Sequence, residues 1–203
     1  MASGEKTKPR RRSQEERRAA TRAALLDATI ECLVEYGYAN TTTTRVVERA
    51  GVSRGAQVHH FPTKAELVAE AIAHLAELRA DEVERALEAL PEGRERVLAA
   101  LDLLWDVHTG PLFTAALELW VAARTDSELR EHLLPAERRM NARLMAGAEE
   151  FFGTGRDEEV ARRAATAFAA IRGLAMTTLL LKPPRRGVDA QWRELREELA
   201  KLF

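Results

Sequence analysis

Apolar residues recur along this 203-residue chain at spacings of three and four, and no stretch of any length alternates apolar with polar in the manner of a strand. The pattern therefore predicts an all-helical protein. Ser13, with Glu16 three residues on, forms a predicted capping box that opens a first helix, whose inner face is Leu25, Leu26, Thr29, Ile30, Leu33 and Val34; Gly37 ends it. Thr42 or Thr43 can cap a short second helix carrying Val46, Val47 and Ala50. Gly51 suits the left-handed backbone that stops it, and Val52 fills the corner. Ser53 caps a third helix, Arg54 to His60, closed by Phe61 and Pro62, and Thr63 with Glu66 opens a long fourth one reaching about Leu90.

The remainder continues in the same period. A helix over 94–108 turns Val97, Leu98, Leu101, Leu104 and Trp105 inward and stops at Gly110 and Pro111. The next carries Leu112, Phe113, Ala116, Leu117 and Trp120, is broken at the TDSE stretch from Thr125, and is followed by a longer helix through Met140, Leu144 and Phe151 that Gly153 and Gly155 end. An apolar helix rich in small residues is expected from Asp157 to Leu181, then a break at Pro183 and Pro184, then an amphipathic helix from Val188 to Phe203 with Trp192, Leu195 and Leu199. There is no internal repeat.

Composition narrows the partners. The net charge is −1, so the whole chain is no polycation, but residues 1–62 hold eleven Lys/Arg against seven Asp/Glu while the rest holds twenty against twenty-five. A basic head and an acidic body fit a part that meets phosphates and a part that does not. Residues 1–12 are polar and basic, and a disordered arm is expected there, serving either phosphate contact or solubility. The single cysteine, Cys32, excludes an intramolecular disulfide, falls on an apolar face and fits a reducing cytoplasm. No apolar run has the length of a membrane span and no signal core is present, so a cytoplasmic protein without a membrane partner is expected.

The densest chemistry lies between Thr41 and Leu67: two short helices joined through Gly51, with Arg54 and the small residues Gly55 and Ala56 on the first turn of the second, where small side chains let backbone approach DNA. Gly37, the threonines 41–44, Ala50-Gly51-Val52-Ser53, Gly55, His60-Phe61 and Lys64 through Leu67 together resemble the DNA-binding domain of the TetR family of bacterial transcription regulators. The family usually has Leu-Tyr where this chain has Gln57-Val58, so the tyrosine's phosphate contact is lost or replaced here. Gln57 is a candidate groove reader instead, since an amide can pair with adenine.

The resemblance implies a basic arm (1–12), a helix-turn-helix head (13–62) and a helical body for effector binding and dimerisation (63–203), joined by the fourth helix, whose tilt carries the ligand signal. It implies that Thr43, Thr44, Arg45, His59, His60 and Lys64 hold phosphates, while Arg54, Gly55 and Gln57 face base edges. Its last two helices pair with those of a second copy, and Ala164, Ala167, Ile171, Leu174, Leu195 and Leu199 are the expected homodimer interface. The expected function is that of a ligand-responsive regulator, a repressor that grips a palindromic double-stranded operator and releases it on binding a small hydrophobic effector. Trp105, His108, Phe113, Trp120, Met140 and Phe168 are the candidate pocket residues. No cofactor, metal or catalytic residue is expected. Two other readings compete: an all-helical enzyme using His108 or His59 and His60, and a DNA-organising protein without effector. The absence of an HExxH motif or a glycine-rich phosphate loop weighs against the enzyme.

Overall fold

The computed structural model describes residues 13–90, 93–152, 158–181 and 186–203, apart from the side chains of 79, 149, 150 and 152. The basic arm and the breaks expected at residues 153, 155, 183 and 184 lie outside the described residues. Helices alone are found among the described residues: α1 (Gln14–Asn40), α2 (Thr43–Ala50), α3 (Arg54–His60), α4 (Lys64–Glu88), α5 (Arg94–Thr109), α6 (Pro111–Ala122), α7 (Ser127–Phe152), α8 (Glu158–Met176) and α9 (Arg186–Ala200). None is long and apolar enough to cross a membrane.

Local chemistry sets the ends. Ser13 and Glu16 exchange both capping-box hydrogen bonds, and the hydroxyls of Thr42, Ser53 and Thr63 accept from the third residue of α2, α3 and α4. Gly51 closes α2 at φ 64° and ψ 31°. Gly37 breaks the helical path of α1 at φ 72° and ψ 173°, so the last residues of α1 turn aside toward α2. Such short helices as α2 and α3 are marginal alone, so packing must hold them. It does so through Leu25, Leu26, Cys32, Val46, Phe61, Leu67 and Ala71, which form one buried cluster spanning α1, α2, the end of α3 and α4. Burying Phe61 alone contributes roughly 1.5–3 kcal/mol.

A second cluster joins α1, α4, α6 and α7 through Leu33, Val68, Ile72, Leu119, Leu129 and Leu133. A third joins α5, α8 and α9 through Leu101, Ala167, Ile171, Trp192 and Leu199. Burial within one chain corrects four of the six expected interface residues. Ala164, Ala167, Ile171 and Leu199 are at most 5% exposed inside a single chain, and Leu174 and Leu195 pack against the third cluster. The small residues that face outward on α8 are instead Ala165, Ala169 and Gly173, followed by Met176. Helix α8 also ends at Met176, five residues before the expected boundary, and a turn carries the chain to Leu181.

Candidate nucleic-acid interface and effector region

The start of α3 is exposed and polar. Arg54 and Gly55 both lie open, and the Arg54 guanidinium donates to the Thr43 hydroxyl at 3.3 Å, joining the first turns of α2 and α3. Arg45 is exposed as well; it donates to the Asn40 carbonyl at 2.6 Å and lies over the Tyr36 ring at 4.7 Å. Thr44 and His59 are exposed, and Thr43 is half-buried. Arg49 is not available to a ligand, because Glu35, Glu31 and the Tyr36 hydroxyl already engage it.

One expected contact is corrected, and two other candidates are engaged within the chain. Gln57 is 1% exposed; its Nε2 donates to the Phe61 carbonyl at 2.5 Å while the Phe61 amide donates to its own carbonyl, so the side chain closes α3 from inside and cannot face a groove. Lys64 is half-buried; its ammonium donates to the Tyr38 carbonyl at 2.8 Å and sits 4.1 Å from the Tyr38 ring centre, and burial pushes its pKa down. That cation braces the α1–α4 corner. His60 is half-buried beside Phe61, and burial with the nearby His59, Arg18 and Arg22 lowers its pKa, so it is neutral at pH 7.

Tyr38 also ties this corner to the body. Its amide donates to Glu118 on α6 at 2.7 Å, and its hydroxyl lies 3.5 Å from the Asp126 carboxylate ahead of α7.

The six candidate pocket residues divide among three environments. Trp105 stacks on Trp192 of α9 with centroids 4.7 Å apart and so belongs to helix packing. Met140 borders a cleft of about 330 Å³ between α4 and α7, with Ile72, Ala76, Glu77, Asp81 and Glu137. Across one side of that cleft, Arg143 of α7 pairs with Asp81 and Glu84 of α4 at 2.5 and 2.7 Å. Phe168 lines an apolar cavity of about 60 Å³ with Leu104, Leu144 and Phe203, too small for an effector until its walls part.

His108, Phe113 and Trp120 do come together. His108 lies edge to face with Phe113 at 4.9 Å, Phe113 with Trp120 at 6.0 Å, and the Phe168 ring is 6.3 Å from His108. His108 is 5% exposed, and desolvation lowers its pKa to about 4, so the ring is neutral. Its Nδ1–H donates to the Leu104 carbonyl at 2.7 Å, leaving Nε2 to accept from the Arg172 Nε–H at 3.4 Å. Both ring nitrogens of His108 are thus occupied. Among the described residues no group of three His, Cys, Asp or Glu is placed to hold a metal ion.

Known proteins place this geometry. The family model for bacterial regulatory proteins of the tetR family matches residues 25–71, which run from the middle of α1 through the helix-turn-helix into α4. The transcriptional regulator CymR of Pseudomonas putida is 32% identical over 183 residues, covering 88% of this chain and 89% of its own. The chain belongs to the TetR family. An HTH-type transcriptional regulator of Mycobacterium tuberculosis is 35% identical over 146 residues, 69% of this chain and 75% of the relative. Among solved structures, the regulator FadR of Bacillus subtilis in complex with stearoyl-CoA superposes with a TM-score of 0.65 at 18% identity, covering 89% of this chain and 98% of its own. This TetR-family protein is a DNA-binding transcription regulator, as its relatives are.

Family membership explains the Gln57-Val58 departure. Gln57 occupies the inward position that the usual leucine would fill, and Val58, where the tyrosine would stand, is 47% exposed with no polar atom to offer a phosphate. Sequence reasoning did not single out Arg172, which the fold brings against His108. Arg172 had a signal: it is the single charged residue in the run from Ala164 to Met176.

Proposed function

We propose that this TetR-family protein is a repressor that binds a palindromic operator as a homodimer and releases it when a small hydrophobic effector enters the body. Residues 13–62 act as the DNA-binding unit and 63–203 as the effector-binding and dimerisation unit. The observation that carries the reading is the exposed pair Arg54 and Gly55 at the start of α3, which Arg54 joins to Thr43 on α2, with Thr44, Arg45 and His59 exposed on the same two helices. Arg54 would read guanine while the threonines and Arg45 hold phosphates.

The second copy would dock on the outward face of α8, where Ala165, Ala169, Gly173 and Met176 are exposed at helical spacing and Leu180 beyond them is 96% exposed. One short recognition helix covers too few base pairs for tight binding, and two-fold pairing doubles it. Bacillus subtilis FadR, with the same fold, was solved with stearoyl-CoA, which supports a body that opens for a ligand. The effector would act by shifting the population toward a head spacing that no longer matches successive major grooves. The tilt of α4 that does this is braced by Arg143 and by Lys64.

The test is retention of DNA from upstream of the protein's own coding region, by gel shift at two salt concentrations, with Arg54→Ala alongside. Sequence-selective binding that weakens in the variant supports the reading; equal binding of random DNA by both proteins sinks it.

A further inference from the structure

Arg172 is a cation held where helices meet, yet its polar contacts are neutral. Its Nε–H donates to His108, its Nη2 lies 3.5 Å from the Asn141 carbonyl oxygen, and the guanidinium sits 5.5 Å from the Trp120 ring centre. Among the described residues no carboxylate forms an ion pair with it. Glu137 exerts the one opposing field on it, and that carboxylate is engaged by the Trp120 indole N–H at 2.7 Å. Desolvation makes a charge in this state costly, and an anion would repay it. The surroundings supply the rest of a site. Trp120 faces the guanidinium directly, Phe113 touches both Trp120 and His108, and His108 also abuts Phe168, a wall of the apolar cavity that Leu104 and Leu144 share.

We propose that Arg172 is the anchor of the effector site and that the effector is a monocarboxylic acid with an apolar body: its carboxylate takes the outer edge of the guanidinium, and its body parts the Leu104, Leu144 and Phe168 walls. Arg172 is suited to this because its planar fork can hold both carboxylate oxygens while His108 fixes Nε. A cationic ligand is disfavoured, since it would meet the guanidinium on the same Trp120 face. A wholly neutral one would add nothing to the distant field of Glu137. The proposal rests on the effector reading above and refines it from hydrophobic to amphiphilic.

The experiment is calorimetric titration of the full chain, without DNA, using octanoate and naphthoate, each beside its neutral amide. At least one acid is expected to bind about tenfold or more tightly than its amide, and Arg172→Gln should remove that preference while Arg172→Lys keeps part of it. Retained thermal stability and operator binding in Arg172→Gln certify its fold, and the acid-to-amide comparison on the unaltered protein needs no variant at all. Absence of binding by both acids at millimolar concentration, equal binding of acid and amide, or an acid preference that survives in Arg172→Gln overturns the proposal. Operator retention is measured separately, so failure of the regulator reading and failure of the anion site are told apart.

Discussion

Gly37 is the point where the body touches the entrance to the helix-turn-helix, and replacing it by alanine tests that junction. At φ 72° and ψ 173° its backbone occupies a region almost closed to residues with a side chain, which costs about 1–3 kcal/mol. An added Cβ would also lie 2.8 Å from the Glu118 Oε2, the atom that accepts the Tyr38 amide hydrogen bond. The carboxylate must swing away, and losing an exposed charge-assisted bond costs about 1 kcal/mol more. Together Gly37→Ala should destabilise by about 2–4 kcal/mol, a fall of about 5–15 °C in Tm for a chain of this length. Gly51 is the control. Its φ 64° and ψ 31° are ordinary left-handed helix with open space around the missing side chain, so Gly51→Ala costs about 1–2 kcal/mol and Gly51→Asn less. Asparagine at 37 should give no such relief. Urea and thermal unfolding followed by circular dichroism would measure all four, with a Glu118→Ala cycle separating strain from contact. A Gly37→Ala within about 0.5 kcal/mol of the parent, or an asparagine tolerated equally well at both positions, would refute the reasoning.

Three further outcomes are expected. Gln57→Leu should be neutral or stabilising by up to about 1 kcal/mol, because it removes a buried Oε1 with no partner at the cost of one hydrogen bond, and operator selectivity should be unchanged; a selective loss of one base preference would restore Gln57 as a reader. Gly55→Ala should raise stability by roughly 0.5–1 kcal/mol, since a Cβ there meets only the Ser53 hydroxyl at 3.9 Å, yet weaken DNA binding if backbone approaches DNA at this point, so denaturation and gel shift should move in opposite directions. His108 is depressed to about 4 in the fold, so its contribution is complete above about pH 6.5 and drains away as pH falls toward 4, where roughly 3 kcal/mol is lost; stability measured across that window should be flatter in His108→Gln, and parallel curves would count against a buried neutral ring.

Much of the site was readable because it is local. The caps at Ser13, Thr42, Ser53 and Thr63 and the stop at Gly51 depend on a few neighbouring residues, and all fell where the turn chemistry put them. The break at Gly37 was equally legible, though its use was not: its room is filled by Glu118, eighty-one positions away. Gln57 and Val58 show why side-chain direction in α3 was harder. A seven-residue helix has too few turns for periodicity to choose between adjacent positions, and polarity alone would send the amide out and the valine in; the fold does the reverse because Phe61 offers its carbonyl to the amide at the helix end.

The helices, their order and the helix-turn-helix were legible in the sequence, since they follow from short-range capping and 3.6-residue periodicity. Which of two small-residue faces of α8 is buried came only from tertiary packing, because Ala164 and Ala165 are equally small and the choice rests on where α5, α7 and α9 pack. Tertiary packing also decided that Lys64 braces Tyr38, that Trp105 belongs to α9, and that Arg172 stands among aromatic rings drawn from α5, α6 and α8. Those are meetings of residues far apart in the chain, and no local pattern encodes the distance between them.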